Sequence, residues 1–237
     1  MRLSQFEALS FDCYGTLIDW ETGLTRALAP LAERGEVSPE DILQIYGPVE
    51  HETEEEHPGL RYSELLERVY ERLASRLGVS ALPDEAREFG ASVGDWPAFP
   101  DTQEALRYLK QHFRLIILSN VDRRSFARSN ERLGVEFDHI FTAEDIGSYK
   151  PSLRNFEYML DRLRDTGIEK GRLLHVAQSL FHDHVPANLM GIASAWIDRR
   201  HDKPGSGATV LPDPRPHFDF RFTSMGELAA AHRAEQD

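Results

Sequence analysis

The sequence predicts an α/β protein in which helices wrap a mostly parallel sheet and a helical domain interrupts the chain after the first strand. Two observations support this fold class. Short apolar runs rich in β-branched and aromatic residues alternate with helical patterns over the last two thirds of the chain, which is typical of a doubly wound sheet. The interval 17–97, by contrast, contains three or four helical patterns and no convincing strand.

The strands of the predicted sheet are short apolar runs, and segments of about crossover length separate most of them. The first strand precedes the helical interval and the others follow it. The predicted strands are 8–13, 114–118, 139–142, 173–177, 194–197 and 219–222, and the predicted helices between them are 101–112, 123–133, 154–163 and 185–190.

The inserted interval is predicted to form a helical cap domain. Leu24, Leu28 and Leu31 recur at helical spacing, which gives the segment an apolar face. The chain leaves the interval through 95–101, where two prolines prevent a helix from continuing and suggest a hinge. The predicted domains are a core of residues 1–16 and 98–237 and a cap of residues 17–97.

The charge balance excludes several classes of partner. The 237 residues include 27 Lys and Arg against 40 Asp and Glu, for a formal net charge of −13. Phosphate backbones and anionic lipids repel such a chain unless it has a basic patch, so neither a nucleic acid nor a membrane is expected as a partner. Acidic residues cluster at 50–57, which is expected to be a solvated helix face or loop.

Cysteine usage and hydropathy suggest a compartment. Cys13 is the single cysteine, so no intramolecular disulfide can form, which fits a reducing environment. No apolar run approaches the ~20 residues of a membrane span, and the N-terminus lacks a basic region followed by an apolar core. We therefore expect a cytoplasmic enzyme.

The Gly- and Pro-rich stretch 201–217 is predicted to be a long loop. It is either a flap or a connecting segment without a specific role.

The residues with the clearest chemical potential begin where the first strand ends. Asp12 lies at the carboxyl edge of the predicted sheet, where open α/β folds bind ligands. Gly15 lets the backbone turn, and successive amide N–H groups can cradle an anion. An ionised Asp12 there can attack an electrophilic carbon or phosphorus and form an ester that water hydrolyses. The alternative is that Asp12 only caps a turn.

Polar residues stand at three further predicted strand ends. Ser119 and Asn120 follow the second strand, and Lys150 and Asp183 follow later ones. The Ser119 hydroxyl can hydrogen-bond the attacking or leaving group, and Lys150 can balance the charge of the nucleophile or bind a substrate carboxylate. Each residue alone could be a cap or a surface residue, but coincidence explains the whole set poorly.

In these four motifs, taken in order, the chain resembles the haloacid dehalogenase superfamily. The resemblance implies a Rossmann-like, doubly wound core with a cap inserted after the first strand, in agreement with the helical interval. It also implies an aspartyl-ester or aspartyl-phosphate intermediate, and a homodimer is common among such proteins. The residues to which it assigns catalytic roles are the nucleophile Asp12 with Thr16, Ser119, Lys150 and Asp183.

Two departures separate the chain from the phosphatases of that superfamily. Tyr14 stands where those enzymes carry a second Asp as general acid, and Gln178 stands where they carry the first acidic residue of the fourth motif. Without that carboxylate, Mg²⁺ lacks an oxygen ligand that it needs. The sequence therefore predicts neither a metal nor another cofactor.

The Asp-x-Tyr-Gly-Thr form resembles instead the metal-free type II L-2-haloacid dehalogenases, in which the Asp displaces halide from carbon. Their halide site is not matched, because 42–60 contains no Lys or Arg, and residues 156, 178 and 180 also depart from the family. Four stretches are similar to the azetidine-2-carboxylate hydrolases of this subfamily: 11–23, 96–101, 182–188 and 219–227.

The resemblance implies a metal-independent hydrolase that displaces a leaving group at Cα of a small 2-substituted carboxylic acid, most directly by opening azetidine-2-carboxylate. An L-2-haloacid dehalogenase is the alternative, and a Mg²⁺-dependent phosphatase or an inactive binding module fits less well. The expected partner is thus a small-molecule carboxylic acid.

The substrate-binding residues are assigned on the same basis. The substrate carboxylate is expected to meet loop amides near Tyr14 and Gly15 and the side chain of Ser119 or Asn120, and an ammonium group favours aromatic faces such as Tyr14 and Trp20. Trp96 is expected to pack at the hinge. Asp183, His182 or His184 is expected to activate water. Cys13, Gln178 and His182 complete the predicted set, with Cys13 chiefly packing in the first strand.

Overall fold

The computed structural model describes residues 1–203, 205 and 207–236. Six parallel strands form one sheet in the order β3-β2-β1-β4-β5-β6, which confirms the predicted Rossmann-like, doubly wound α/β class. The order changes direction at β1, so the carboxyl ends of β1, β2 and β4 meet at the position where such sheets bind ligands. The strands are β1 Ala8–Phe11, β2 Arg114–Ser119, β3 His139–Thr142, β4 Leu173–Ala177, β5 Ala193–Ile197 and β6 Phe220–Phe222.

Helices divide between the inserted segment and the sheet. The inserted segment contains α1 Trp20–Ala27, α2 Ala29–Arg34, α3 Pro39–Glu56, α4 Tyr62–Arg76 and α5 Pro83–Ala91. Six accompany the later strands: α6 Thr102–Leu109, α7 Arg123–Leu133, α8 Ala143–Ile146, α9 Leu153–Arg164, α10 Val185–Met190 and α11 Met225–Gln236. Short 3₁₀ turns occupy Leu3–Gln5, Ser92–Asp95 and Lys170–Arg172, and a π-helical turn occupies Leu180–His184.

The predicted elements are found with small shifts at their ends. β1 ends at Phe11 rather than at residue 13, because the chain turns into the loop that carries Asp12, although the Asp12 amide still donates to the Val176 carbonyl at 3.1 Å. α8 and α11 were not among the predicted helices. α8 has only four residues, which is too short for a periodic signal to be seen in the sequence.

One hydrophobic cluster joins the sheet to the inserted helices. It runs from Leu9 and Phe11 on β1 to Leu24 on α1 and Leu65 on α4, all of which are fully buried. A second cluster, centred on Phe156 and Met159 of α9, covers the opposite face of the sheet. Burial of apolar surface stabilises both faces.

Two chain segments connect the inserted helices to the sheet, and they lie side by side. The Asp19 amide donates to the Pro97 carbonyl at 2.7 Å, and the Phe99 amide donates to the Leu17 carbonyl at 3.1 Å. Trp96 is buried and its ring meets the Tyr14 ring edge-on, with centroids 5.7 Å apart. The hinge is therefore hydrogen-bonded and packed.

A second contact between cap and core lies far from the hinge in the chain. Ala208, in the described part of the predicted 201–217 loop, is buried and its carbonyl oxygen would lie 2.3 Å from a Cβ placed on Gly47 of α3. The Thr209 hydroxyl donates to Gln178 Oε1 at 3.3 Å. This loop therefore packs against both domains; residues 204 and 206 lie outside the described residues.

None of the helices in the described part of the chain has the length and apolar character that a membrane crossing requires.

Gly23 of α1 lets the Trp96 ring pack closely against the helix at the hinge. A Cβ at this position would lie 2.2 Å from Cγ of Trp96, so either the ring or α1 must move. Although Ala favours helix more than Gly, we expect Gly23→Ala to lower the free energy of unfolding by about 1–3 kcal/mol through overpacking. Urea denaturation measures the change. Gly59→Ala is the control, because no atom lies within 4 Å of a Cβ placed on Gly59, and equal stability of both variants would contradict this packing.

Candidate active site

The ends of four strands bring the predicted catalytic residues together. Asp12 follows β1 directly, Ser119 is the last residue of β2, and Asp183 lies in the π-helical turn after β4. Lys150 follows β3 and α8. All four side chains line one cavity between the sheet and the cap.

The Lys150 ammonium connects the two carboxylates. Its Nζ donates to Asp12 Oδ1 at 2.9 Å, to Asp183 Oδ1 at 2.7 Å and to the Leu118 carbonyl at 3.0 Å. Lys150 is only 1% exposed. An ammonium has three N–H donors, and all three are used, so Lys150 holds the two carboxylates in a fixed geometry.

Asp12 is oriented through its second oxygen as well. The Thr16 hydroxyl donates to Asp12 Oδ2 at 2.7 Å and accepts from the backbone N–H of Gln178 at 2.9 Å. The Arg199 guanidinium donates to the Thr16 carbonyl at 2.9 Å. Thr16 therefore positions the nucleophile and does not line the cavity, and Arg199, which sequence reasoning missed, fixes the loop.

A buried hydrogen-bond chain extends behind Asp183. His175 Nε2 lies 2.8 Å from Asp183 Oδ1, and His175 Nδ1 lies 2.9 Å from the Ser10 hydroxyl. Ser10 and His175 are paired across β1 and β4. Sequence reasoning missed His175; the available signal was a polar residue in each of two adjacent apolar strands.

The two carboxylates differ in acidity. Burial raises the pKa of Asp12, and the charge of Lys150 opposes this only in part. Burial also acts to raise the pKa of Asp183, but the charge of Lys150 and the hydrogen bond from His175 outweigh it and hold that pKa well below its usual range. The pKa of Lys150 is raised, because the charges of Asp12 and Asp183 outweigh the effect of burial. Asp183 is thus a permanent anion, whereas Asp12 is the more basic carboxylate and the better nucleophile.

Helix α3 contributes two acidic side chains that the sequence analysis placed incorrectly. The 50–57 run was expected to be solvated, yet Glu50 and Glu54 are each 5% exposed and line the cavity. They are four residues apart and therefore share one face of the helix, which faces the site, while Glu52, Glu55 and Glu56 are exposed. The composition of the sequence reveals the acidic cluster, but only the position of each residue around the axis of α3 shows which members are buried.

The partners of the two glutamates differ. Glu50 Oε1 accepts hydrogen bonds from the hydroxyls of Tyr46 and Tyr62, each at 2.5 Å. Glu54 Oε1 accepts from Asn120 Nδ2 at 3.2 Å, while its Oε2 is buried without a partner. Burial raises the pKa of both groups, most strongly that of Glu54, where the neighbouring Glu50 charge adds to it.

The cavity is small, and its lining includes acidic side chains and polar atoms that have no hydrogen-bond partner. Its volume is about 40 Å³, room for about three water molecules. Among its described lining residues, four carboxylates face one cation, Lys150. Four lining side chains carry a buried atom that lacks a hydrogen-bond partner: Ser119 Oγ, Glu54 Oε2, His182 Nε2 and Asp183 Oδ2. Such atoms are costly unless a ligand or water satisfies them, so this arrangement marks a binding site.

Most of the other predicted residues lie around this cavity. Tyr14, Trp20, Asn120, Gln178 and His182 line it. The Tyr14 hydroxyl is 2.9 Å from Ser129, and burial raises its pKa well above the usual value, so Tyr14 stays protonated. Lining residues that were not predicted are Glu50, Glu54, Tyr62, Ser179 and Thr209.

Three predictions need correction. The Gly15 amide donates to the Ile18 carbonyl at 2.8 Å, so it is already used within the turn. Cys13 is fully buried in the core and is not among the lining residues; burial raises the pKa of its thiol well above the usual value. His184 is also buried, with its ring nitrogens 3.0 Å from Ser194 Oγ and the Ala177 carbonyl, so it cannot reach a substrate as a base.

His182 remains available as a neutral imidazole. Burial lowers its pKa to about 4, and its Nδ1 lies 3.3 Å from the Ser179 hydroxyl. It therefore adds no positive charge to the cavity at neutral pH.

The residues do not fit the Mg²⁺ of the superfamily's phosphatases. Both oxygens of Asp12 and one of Asp183 accept hydrogen bonds from protein groups. Gln178 offers a neutral amide oxygen that already accepts from Thr209. The Lys150 ammonium stands between the two carboxylates and repels a cation there, so we derive no step through a metal at this position.

Lys150 makes the site stable as well as reactive. Lys150→Met leaves Asp12 and Asp183 buried without a cation, and we expect the free energy of unfolding to fall by about 3–5 kcal/mol at neutral pH. The loss should be smaller at about pH 5, because unpaired buried carboxyl groups have raised pKa values and take up protons as the pH falls. Urea unfolding at the two pH values measures both effects.

The control for this variant is Lys110→Met, which removes the partner of Asp138 from an ion pair whose side chains are 33% and 32% exposed. It should cost at most about 1 kcal/mol. If Lys150→Met lost the same stability at both pH values, lost packing rather than unpaired charge would be the cause.

Comparison with known proteins agrees with this fold. A family model described as a haloacid dehalogenase-like hydrolase matches residues 6–177, and no curated protein matches the chain. The structure of the L-2-haloacid dehalogenase from Xanthobacter autotrophicus with chloropropionic acid covalently bound has a TM-score of 0.80 at 17% identity, with 96% of this chain and 98% of that chain covered.

A defluorinating L-2-haloacid dehalogenase is similar, with a TM-score of 0.78, 20% identity and coverage of 96% of this chain and 95% of that chain. At these identities the structural likeness shows a shared fold. The family match extends over most of the chain and includes Asp12, Ser119 and Lys150. The chain therefore belongs to the haloacid dehalogenase-like hydrolases.

Proposed function

We propose that the protein is a metal-independent hydrolase that opens the ring of azetidine-2-carboxylate through an aspartyl-ester intermediate. The observation that carries this proposal is the charge of the cap: α3 presents Glu50 and Glu54 to the cavity, and the described lining residues of the cap include no cation. A substrate that carries an ammonium group complements this surface, because its positive charge favours the ionised form of two carboxyl groups whose pKa values burial raises. A leaving halide finds no cation among the described residues of this surface.

The substrate carboxylate has its own group of donors in this proposal. The Ser119 hydroxyl has no partner in the cavity and can donate to it. Asn120 is committed elsewhere, because its Oδ1 accepts from the Lys150 amide at 2.7 Å and its Nδ2 donates to Glu54 and to the Lys150 carbonyl. Asn120 is therefore a positioning residue for α3 and for Lys150.

The first chemical step is a displacement at Cα. An Asp12 carboxylate oxygen forms a bond to Cα while the Cα–N bond breaks and its electrons pass to the ring nitrogen. That nitrogen enters as an ammonium and leaves as a neutral primary amine, so no separate acid is needed. Relief of ring strain lowers the barrier, and the fixed carboxylate supplies the orientation for in-line attack.

The second step hydrolyses the ester and regenerates Asp12. A water molecule attacks the carbonyl carbon of the Asp12 ester, and the acyl C–O bond breaks. One water proton ends on the oxygen that leaves with Cα as the 2-hydroxyl group, and the other ends on the amine of the product, 2-hydroxy-4-aminobutyrate. Asp183 has a buried Oδ2 without a partner and stays ionised, so it can accept a hydrogen bond from that water. We assign it the positioning of the water, and Lys150 the stabilisation of the carboxylate that is re-formed.

An L-2-haloacid dehalogenase is the second candidate. It is favoured by the solved structures similar in fold, one of which holds chloropropionic acid covalently, and it uses the same Asp12 step with halide as the leaving group. The cap argues against it, because the described cap residues that line the cavity offer a leaving halide no cation.

The substrate class can be tested with a panel of azetidine-2-carboxylate, 2-chloropropionate and p-nitrophenyl phosphate, each with and without excess EDTA. We expect ring opening of the azetidine that EDTA does not reduce, with ¹⁸O from water entering Asp12 in a single turnover. Asp12→Asn should lose at least about a thousandfold in kcat, since it lacks the nucleophile. Halide release in place of ring opening supports the second candidate, and EDTA-sensitive phosphate release would refute both.

The role of the cap charge can be tested with Glu54→Gln, which keeps the size of the side chain. We expect kcat/KM for azetidine-2-carboxylate to fall by about tenfold to a hundredfold, because the variant loses an ion pair in a buried site. Any activity on substrates without an ammonium group, such as 2-haloacids, should stay the same or rise. Glu52→Gln, on the exposed face of α3, is the control. Equal effects of both variants would exclude a direct contact with the ammonium.

A further inference from the structure

A group of potential ligands lies beside the cavity at the boundary between cap and core. His51 and Glu54 are three residues apart on α3, and His182 lies in the π-helical turn after β4. One ligand atom from each of them lies within 4.8 Å of the other two. His182 Nε2 and Glu54 Oε2 are 3.9 Å apart.

The same three side chains each carry a buried atom without a hydrogen-bond partner. These atoms are His51 Nδ1, Glu54 Oε2 and His182 Nε2. A substrate ammonium would satisfy Glu54 Oε2 but not the atom of His51, which lies outside the catalytic cavity, whereas a shared cation would satisfy all three at once. We propose that His51, Glu54 and His182 form a site for one divalent transition-metal ion, such as Zn²⁺ or Co²⁺.

Neighbouring groups orient each ligand. His182 Nδ1 lies 3.3 Å from the Ser179 hydroxyl; a proton on Nδ1 leaves the lone pair on Nε2. His51 Nε2 lies 3.6 Å from Glu55 Oε1, which favours a proton there and leaves the lone pair on Nδ1. Asn120 holds the other oxygen of Glu54. Second partners of this kind are usual for metal ligands in proteins.

The ligand set selects the class of metal. Two imidazoles and one carboxylate suit zinc-type ions, whereas Mg²⁺ and Ca²⁺ prefer oxygen ligands. Ligands of a tetrahedral zinc are about 3.4 Å apart when the bonds are ~2.1 Å long, so each side chain must move by less than about 1 Å. The ion then has room for a fourth ligand such as water.

A path for the ion exists on the outer side. A cavity of about 340 Å³ between α3 and the start of α9 is lined by His51, Glu54 and Phe181, among others. Phe181 packs edge-on against the His51 ring at 5.0 Å and against the His182 ring at 5.1 Å, which restrains both imidazoles. An ion bound here joins the cap to the core and adds positive charge beside the acidic cavity.

The site shares Glu54 with the proposed substrate site but does not depend on that function. An ion on Glu54 Oε2 competes with a substrate ammonium for the same carboxylate, so metal binding should slow turnover instead of supporting it. The metal is therefore an inhibitor or a regulator of the hydrolase, and its binding can be measured without any substrate.

The test is a titration of the EDTA-treated, dialysed protein with Co²⁺, followed by the visible d–d absorption and by the shift in melting temperature. We expect one Co²⁺ per chain with a four- or five-coordinate spectrum, displaced by one equivalent of Zn²⁺. His51→Gln should weaken binding at least about tenfold, since it removes a ligand. His57→Gln, which lies at the end of the same helix outside the cluster, is the control and should bind like the native chain.

His51→Gln also keeps the test independent of folding and of substrate identity. His51 does not line the catalytic cavity. After EDTA treatment this variant should therefore be as active as the native chain, and it should lose only the inhibition by Zn²⁺. No Co²⁺ absorption in the native chain, or equal affinity in the two histidine variants, would overturn the proposal. Failure of azetidine turnover alone would refute the proposed substrate and leave the Co²⁺ result standing.

Discussion

The Lys150 ammonium lies deep in the protein, and its burial is tolerated because carboxylates from two other strand ends reach it. Moving either charge into the interior without the other would cost several kcal/mol. The consequence extends through the site: Asp12 is held by Lys150 and Thr16, and Asp183 by Lys150 and His175. Because Lys150 Nζ also donates to the Leu118 carbonyl of β2, the register of β1, β2 and β4 is tied to the geometry of the reaction centre.

The shared Lys150 cation also leaves two similar carboxylates with different roles. They share one cation, but Asp183 has His175 as a further partner while Asp12 has only the weaker donor Thr16. The difference makes one carboxylate a permanent anion that orients its surroundings and leaves the other more basic and more nucleophilic. A pair of groups whose surroundings move their pKa values apart is a common way to separate roles in an active site.

Much of the fold and the central residues could be predicted from the sequence, because both follow from short-range patterns. Apolar runs located the strands, and the polar residues that follow them, together with the resemblance to the four superfamily motifs, located Asp12, Ser119, Lys150 and Asp183. The side chains that arrive from distant segments could not be found in this way. Glu50 and Glu54 belong to an acidic run in which composition does not distinguish buried from exposed members, and the Gly15 amide is used by a turn whose hydrogen bond no sequence pattern reveals.

The close contact between Gly47 and Ala208 gives the cap a second point of attachment besides the hinge. A rigid rotation of the cap about 19 and 97 would separate α3 from the loop that carries Thr209. Any such rotation of the cap therefore has to include a movement of this loop or a break in its contact with α3. The contact thus couples the position of the cap to a segment of the core that is far from the hinge in the sequence.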